Sequence, residues 1–151
     1  MQVFIGADHR GFAMKEQVEA YLAKRNYPVE DVGNFVYDQD DDFPRYAAAA
    51  AIKVIGSDDD DPRAILICGG GQGMAIAANR FKGIRAVVVT DAEDARTARH
   101  DNDSNVLALP AGLMESLDES VWQGIVDTWL TTKYDGAQRY QRRIEQLDEL
   151  A

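Results

Sequence analysis

The feature that most constrains the fold of this chain is a buried strand that runs directly into a glycine-rich turn. Residues 64–68 (AILIC) form an uninterrupted apolar run, and four of the next five residues, 69–73, are glycine. An apolar run without alternation predicts a strand covered on both faces, which is typical of parallel sheets. A helical pattern follows over residues 74–81, so this segment is predicted to be the strand–turn–helix unit of an α/β protein.

Strand and helix patterns alternate along the rest of the chain. Strands are predicted at residues 2–6, 29–32, 64–68, 84–89 and 105–109, and helices at residues 11–25, 46–55, 74–81, 91–99, 116–130 and 138–150. We therefore predict an α/β fold of the three-layer, Rossmann-like type, with an open parallel sheet of about five strands and helices on both faces. Because no linker interrupts the pattern, residues 1–151 are expected to form a single domain.

The predicted topology also indicates where a ligand would bind. In open parallel sheets, ligands lie beyond the carboxyl ends of the strands. This rule selects Asp8 and His9, the glycine loop after Cys68, residues 90–91 and the segment after Leu109. Glycines in the loop would let a ligand approach the backbone, and free N–H groups at the helix start favour an anion. A tight turn without a ligand is the alternative, whereas the spacing fits neither a dinucleotide fingerprint nor a P-loop.

Cys68 is the only cysteine of the chain. No internal disulfide can form, and a lone cysteine is often an inert core residue. Its position immediately before a glycine loop and near a helix start instead favours a reactive thiolate that could act as a base or nucleophile.

Composition excludes several classes of partner. The formal net charge is −10, which disfavours nucleic acid and anionic membrane surfaces. The acidic runs at residues 38–42 and 58–61 are expected to be solvated loops, because neither has the glycine and closing Glu of a calcium loop. No His, Cys or Asp cluster has convincing metal spacing, and no cofactor is expected. No apolar run approaches the roughly 20 residues that a membrane-spanning helix needs, and no leader peptide is evident, so a cytoplasmic location is expected.

Five segments together resemble the ribose-5-phosphate isomerase B family, which also contains galactose-6-phosphate isomerase subunits. ADHRGF (residues 7–12) resembles the opening motif of the family, and DFPRYA (42–47) resembles its Asp-Tyr-Pro segment. ICGGGQGMAIAANRFKGIRA (67–86) is similar to its Cys-Gly-Thr-Gly-x-Gly block. NDSNVLAL (102–109) resembles its His-Asn-Asp-x-Asn-Val segment, and RYQRRI (139–144) its Arg-His-x-x-Arg tail.

The resemblance implies a metal-free aldose–ketose isomerase that converts ribose 5-phosphate to ribulose 5-phosphate through an enediolate. Cys68 would be the base that removes the C2 proton, and Asp8, Asp101 and His100 are the further catalytic candidates. The substrate-binding candidates implied by the resemblance are His9, Gly69, Gly70, Gly71, Gly73, Asn102, Arg139 and Arg143. The glycine amides would hold the developing oxyanion, and the two arginines, four residues apart on one helix face, would hold the phosphate.

The resemblance also implies a homodimer, possibly a tetramer, with the site at the subunit interface. The C-terminal helix at residues 138–150 would then pack on the partner subunit. From the residues alone, the alternative for Arg139 and Arg143 is a solvated helix face that pairs with Glu145 and Asp148.

Several positions depart from the family pattern, and they cluster in the site. Gly70 replaces a Thr or Ser, Asp101 stands where the ring-opening histidine is expected, Gly112 replaces an arginine and Tyr140 replaces a histidine. These changes leave two alternatives open. The chain could be a catalytically silent sugar-phosphate-binding subunit, or a nucleotide-binding module on a flavodoxin-like sheet.

Overall fold

All strand pairs of the sheet are parallel, and the strand order is β2-β1-β3-β5-β4. The computed structural model describes residues 1–150. The strands are β1 (Val3–Ala7), β2 (Val29–Asp31), β3 (Arg63–Cys68), β4 (Ala86–Val88) and β5 (Val106–Pro110). The helices are α1 (Phe12–Lys24), α2 (Phe43–Ile55), α3 (Gln72–Ala78), α4 (Ala92–Asn102), α5 (Ala111–Met114), α6 (Glu119–Thr131) and α7 (Gln138–Glu149). The predicted α/β fold is confirmed.

The central strand β3 is buried along its whole length, as its apolar run predicts. Its side chains alternate between two apolar clusters, one on each face of the sheet. Ile65 and Ile67 pack with residues of α1, α4 and α6, whereas Leu66 and Cys68 pack on the face covered by α2 and α3. Each fully buried aliphatic side chain of this size contributes about 1.5–3 kcal/mol to folding.

Several element boundaries differ from the predicted ones. Helix α2 begins at Phe43 rather than at residue 46, because Pro44 is tolerated in the first turn of a helix, where no N–H partner is lost. Helix α3 begins at Gln72, inside the predicted loop. Helix α4 continues to Asn102 and ends where Asp103 adopts a left-handed conformation. Candidate residues 100–102 therefore lie in its last turn.

The predicted helix at residues 116–130 corresponds to α6, which begins three residues later, and a further short helix precedes it. A short helix, α5, follows β5 directly, and α6 begins at Glu119 after the cap residue Asp118 accepts a hydrogen bond from Ser120 N. Strand β4 is confined to Ala86–Val88, half the predicted length. None of the helices within residues 1–150 has the length and apolar character that crossing a membrane requires.

The acidic run at residues 58–61 contributes ion pairs as well as a surface loop. The buried Arg63 side chain donates to Asp61 and also to the carbonyl oxygen of Trp129, 2.7 Å away. These contacts join the start of β3 to the end of α6. The Asp61 side chain remains 45% exposed, so the predicted solvated loop is confirmed there, with the added ion pair to Arg63.

The turn after β1 is pressed against β3 at Gly11. A Cβ on this residue would lie only 2.3 Å from the carbonyl oxygen of Ile67. The Asp8 carboxylate holds the turn in place, since Oδ1 accepts hydrogen bonds from Arg10 N at 2.9 Å and Gly11 N at 3.1 Å. Glycine is thus required here by a close backbone approach and not by a turn conformation.

We expect Gly11→Ala to lower the free energy of unfolding by about 1–3 kcal/mol, because the new methyl group must push the turn away from β3. Urea denaturation measures this change. Gly124→Ala is the matched control, since Gly124 lies within α6 and a Cβ there meets nothing within 4 Å. The control should be neutral or stabilising by about 0.5–1 kcal/mol. Equal effects of the two substitutions would contradict the close approach.

Candidate active site

Cys68 ends strand β3 and faces the glycine turn. Its side chain is buried, and the backbone N–H of Gly71 donates to Sγ at 3.2 Å. Gly71 has φ +76°, in the left-handed region that favours glycine. The turn therefore folds back over the sulfur and holds it at the carboxyl end of the central strand.

Backbone N–H groups surround this point at the start of α3. The first hydrogen bond of the helix runs from Ala75 N to Gly71 O, so the preceding amides, Gln72 to Met74, have no acceptor within the helix. The Phe43 ring packs against Gly73, where a Cβ would lie 2.9 Å from Cζ of the ring. The phenyl ring, the free amides and the thiol thus all adjoin the same glycine turn.

Asp8 and His9 lie next to Cys68 because β1 pairs with β3, with Ala7 opposite Ile67. The carboxyl group of Asp8 is buried, and burial raises its pKa above the ordinary value although the backbone N–H groups of Gly11 and Arg10 oppose the shift. A carboxyl with a raised pKa in a cleft is a candidate for proton transfer.

His9 is held by Asp41, a residue that the sequence analysis assigned to a solvated loop. The side chain of Asp41 is 2% exposed, and Oδ1 lies 2.7 Å from His9 Nδ1 and accepts from His9 N at 3.1 Å. Its other oxygen accepts from Asn34 Nδ2 at 2.7 Å. The prediction is therefore wrong for Asp41, which is a buried orienting group for His9.

The electrostatics of Asp41 agree with this role. Burial alone would raise the pKa of Asp41, but hydrogen bonds from His9 and from the Tyr46 hydroxyl outweigh burial and lower it. Asp8, His9 and Asp41 bring possible ligand atoms within 4.8 Å of one another, close enough to hold a metal ion. However, the carboxylates already accept backbone and ring N–H groups, so hydrogen bonding alone accounts for the grouping.

The other five predicted site residues, which lie on α4 and α7, form a second cluster around or beside Tyr140. Arg139 donates to the Tyr140 hydroxyl at 2.6 Å, and Arg143 lies 6.0 Å from the ring centroid. His100 Nδ1 is hydrogen-bonded to Asp101 Oδ1 at 2.7 Å. Hydrogen bonds from His100 and then from Tyr140 lower the pKa of Asp101. The two arginines thus flank a buried tyrosine. They are not paired with Glu145 or Asp148, as they would be if they formed only a solvated helix face.

Asn102 lies beside this cluster, at the amino edge of the sheet. Its carbonyl oxygen accepts from Nε of Arg85, which immediately precedes β4. Residues 100–102, in the last turn of α4, therefore lie at the amino edge of the sheet, whereas Cys68 lies at the carboxyl edge. A strand of six residues such as β3 is about 15–20 Å long, so the two clusters of one chain are separated by roughly that distance.

The structure therefore brings the predicted residues together in two groups. Cluster 1 comprises Asp8, His9, Cys68, Gly69, Gly70, Gly71 and Gly73. Cluster 2 comprises His100, Asp101, Asn102, Arg139 and Arg143. Sequence reasoning missed Asp41, Asn34 and Tyr46, since they join the site only through contacts with distant segments.

Comparisons with known proteins identify the family of this chain. The family model described as Ribose/Galactose Isomerase matches residues 3–147. The ribose-5-phosphate isomerase B of Escherichia coli (strain K12) is 40% identical over 144 residues, which cover 95% of this chain and 92% of that protein. That of Mycolicibacterium paratuberculosis is 38% identical and covers 99% of this chain and 91% of its own length.

A solved structure extends the comparison to a bound ligand. Ribose-5-phosphate isomerase B from Mycoplasma genitalium, solved with bound ribulose-5-phosphate, has a TM-score of 0.89 and 35% identity, and the match covers 99% of this chain and 95% of that chain. The match in sequence and fold runs nearly end to end and includes both clusters. This chain belongs to the ribose/galactose isomerase family.

Proposed function

We propose that this protein isomerises ribose 5-phosphate to ribulose 5-phosphate through an enediolate, with Cys68 as the base. The observation that carries the proposal is the Cys68 sulfur, which the Gly71 amide holds at the carboxyl end of β3, at the turn that leads into the free N–H groups of α3. Relatives named for this reaction support it, one of them solved with ribulose-5-phosphate. A charged sugar phosphate is retained in the cytoplasm, so we propose that the protein acts there.

The chemistry follows from the arrangement of cluster 1. In the open-chain aldose, the thiolate of Cys68 takes the C2 proton, and the electron pair of the C–H bond forms the C1–C2 double bond of the enediolate. The aldehyde oxygen becomes an oxyanion, which backbone N–H groups of the glycine turn stabilise. Return of the proton to C1 and transfer of the O2 proton to O1 then give the ketose. No external oxidant or reductant is required.

Ring opening needs a group that moves a proton between the ring oxygen and the anomeric hydroxyl. Asp8 is one candidate, since its buried carboxyl has a raised pKa beside Cys68. The His100–Asp101 pair is the other, and it belongs to cluster 2. Arg139 and Arg143 would hold the phosphate, and Asn102 a sugar hydroxyl.

We further propose that two copies of the chain complete each site. Helix α3 begins at the glycine turn of cluster 1 and ends at Asn79, which lines the same groove as Asn102. Ile76, in the middle of α3, is 67% exposed, an unusual position for an aliphatic side chain. Two α3 helices packed antiparallel at Ile76 would bring cluster 1 of one copy to cluster 2 of the other.

The carboxyl-terminal helix fits the same arrangement. Leu147 and Leu150 are 49% and 84% exposed at its end, next to the groove that contains Asn79. We propose that each copy forms one domain and that this helix packs on the partner subunit. The assembly is then a homodimer with twofold symmetry and two equivalent sites.

Cys68→Ala should abolish proton exchange at C2 while substrate binding persists. General base removal typically lowers the rate about 10²–10⁴-fold. NMR of ribose 5-phosphate in D₂O measures the exchange, and calorimetry measures binding. Unchanged exchange in Cys68→Ala would remove the thiol from the mechanism. Binding without exchange in the wild-type protein would instead favour a silent sugar-phosphate-binding subunit.

A complementation experiment tests the shared site. Cys68→Ala and Arg143→Ala should each be inactive, yet refolding them together should restore about a quarter of wild-type activity, since half of the dimers are mixed and each holds one intact site. The matched control mixes Cys68→Ala with His9→Ala, both in cluster 1, and should stay inactive. Failure of the first mixture, with dimers verified, would place the whole site within one chain.

Asp8→Asn should raise the free energy of unfolding at about pH 7 and lower turnover. The folded state raises the pKa of Asp8, so the charged carboxylate destabilises the fold as pH rises through that pKa. The amide oxygen of Asn can still accept the N–H groups of Arg10 and Gly11. The gain should vanish at about pH 3, where the wild-type carboxyl is protonated in both states. Urea unfolding at both pH values checks this, and a destabilised variant at neutral pH would contradict it.

A further inference from the structure

The inference concerns Arg10, which no part of the mechanism above uses. Its backbone is fixed at the end of β1, since Arg10 N donates to Asp8 Oδ1 at 2.9 Å and the next residue, Gly11, lies against β3. The position from which the Arg10 side chain extends is therefore fixed by the same turn that contains Asp8 and His9.

The Arg10 side chain runs along Gly69, the first residue after the catalytic cysteine. Its Cβ, Cγ and Nε atoms lie 3.6–3.7 Å from the point where a Cβ of Gly69 would be. The residue is exposed, and within residues 1–150 its guanidinium forms no salt bridge and no hydrogen bond. Five other arginines each pair with a carboxylate, namely Arg25, Arg63, Arg85, Arg96 and Arg99.

Gly112, in the short helix α5 that follows β5, approaches the same peptide. Its N–H donates to the Gly69 carbonyl oxygen at 3.0 Å, and a Cβ on Gly112 would lie 3.1 Å from that oxygen. A side chain at position 112 would therefore also start beside Gly69. With glycine there, Arg10 is the cation that this chain offers at Gly69.

We infer that Arg10 binds the phosphate group of the substrate from cluster 1, in the place that a side chain at position 112 would otherwise occupy. The inference rests on the proposed function. His9 is a poor substitute, because it is charged only when protonated and its Nδ1 is already bound to Asp41. A guanidinium is always charged and offers two parallel N–H groups to a phosphate, so Arg10 and the partner subunit's Arg139 and Arg143 would enclose the dianion.

The test is Arg10→Gln, which keeps a polar side chain and removes the charge. We expect KM for ribose 5-phosphate to rise about 10–100-fold, the range for a lost hydrogen bond to a charged group, with kcat within about twofold. Gly112→Arg in the Arg10→Gln background should recover most of the loss, because both side chains start beside Gly69. Arg25→Gln, on a surface away from the site and paired with Asp127, is the matched control and should leave KM unchanged.

An unchanged KM in Arg10→Gln, or a loss confined to kcat, would overturn the inference. Binding of inorganic phosphate, measured by calorimetry on the same proteins, separates this result from failure of the proposed function. Weaker phosphate binding in Arg10→Gln supports the inference even where the wild-type protein turns over no sugar. Equal phosphate affinities of the wild-type protein and Arg10→Gln would overturn it whether or not the protein is an isomerase.

Discussion

The contact on which the rest of the site depends is the approach of the β1 turn to the backbone of β3. Gly11 lies so close to the Ile67 carbonyl that no side chain fits, and Asp8 secures the turn through two backbone N–H groups. This approach fixes the backbone of Asp8, His9 and Arg10 relative to the end of β3, and with it the points from which their side chains start. The ring of His9 is oriented in addition by Asp41. A turn without such a backbone contact would leave these starting points less precisely placed.

The fold could be predicted from the sequence because its strongest signals are local. The unbroken apolar run of β3 and the alternation of strand and helix patterns are enough to define a parallel α/β sheet. The errors lie at helix ends, where weak local preferences compete. Pro44 lies before the predicted start of α2 although it occupies the first turn of that helix, and α4 continues through Asn102 until Asp103 ends it. Boundaries of this kind depend on tertiary packing as much as on propensity.

The site was predictable only in part, for a different physical reason. The strand–turn–helix pattern indicates Cys68 and the glycines, and the position of Asp8 and His9 at the end of a predicted strand selects these two residues. The family resemblance supplied the arginines. Asp41 gave no such signal, since an acidic run of five residues is normally a solvated loop. Its burial arises from contacts with His9, 32 residues away, and with the Asn34 side chain. Neither partner can be inferred from the composition of the run itself.

Two residues in or next to cluster 2 that depart from the family pattern, Asp101 and Tyr140, contact the other residues of the cluster. Asp101 stands where a histidine was expected, yet it accepts a hydrogen bond from Nδ1 of His100, the preceding residue. With Nδ1 donating to the carboxylate, Nε2 is the acceptor nitrogen and can take a proton, as in other carboxylate–imidazole pairs. An imidazole oriented by a carboxylate therefore lies next to the position where the family has its histidine. Since this pair and the two arginines surround Tyr140, the changes at positions 101 and 140 lie in one connected cluster of side chains and not at scattered places in the fold.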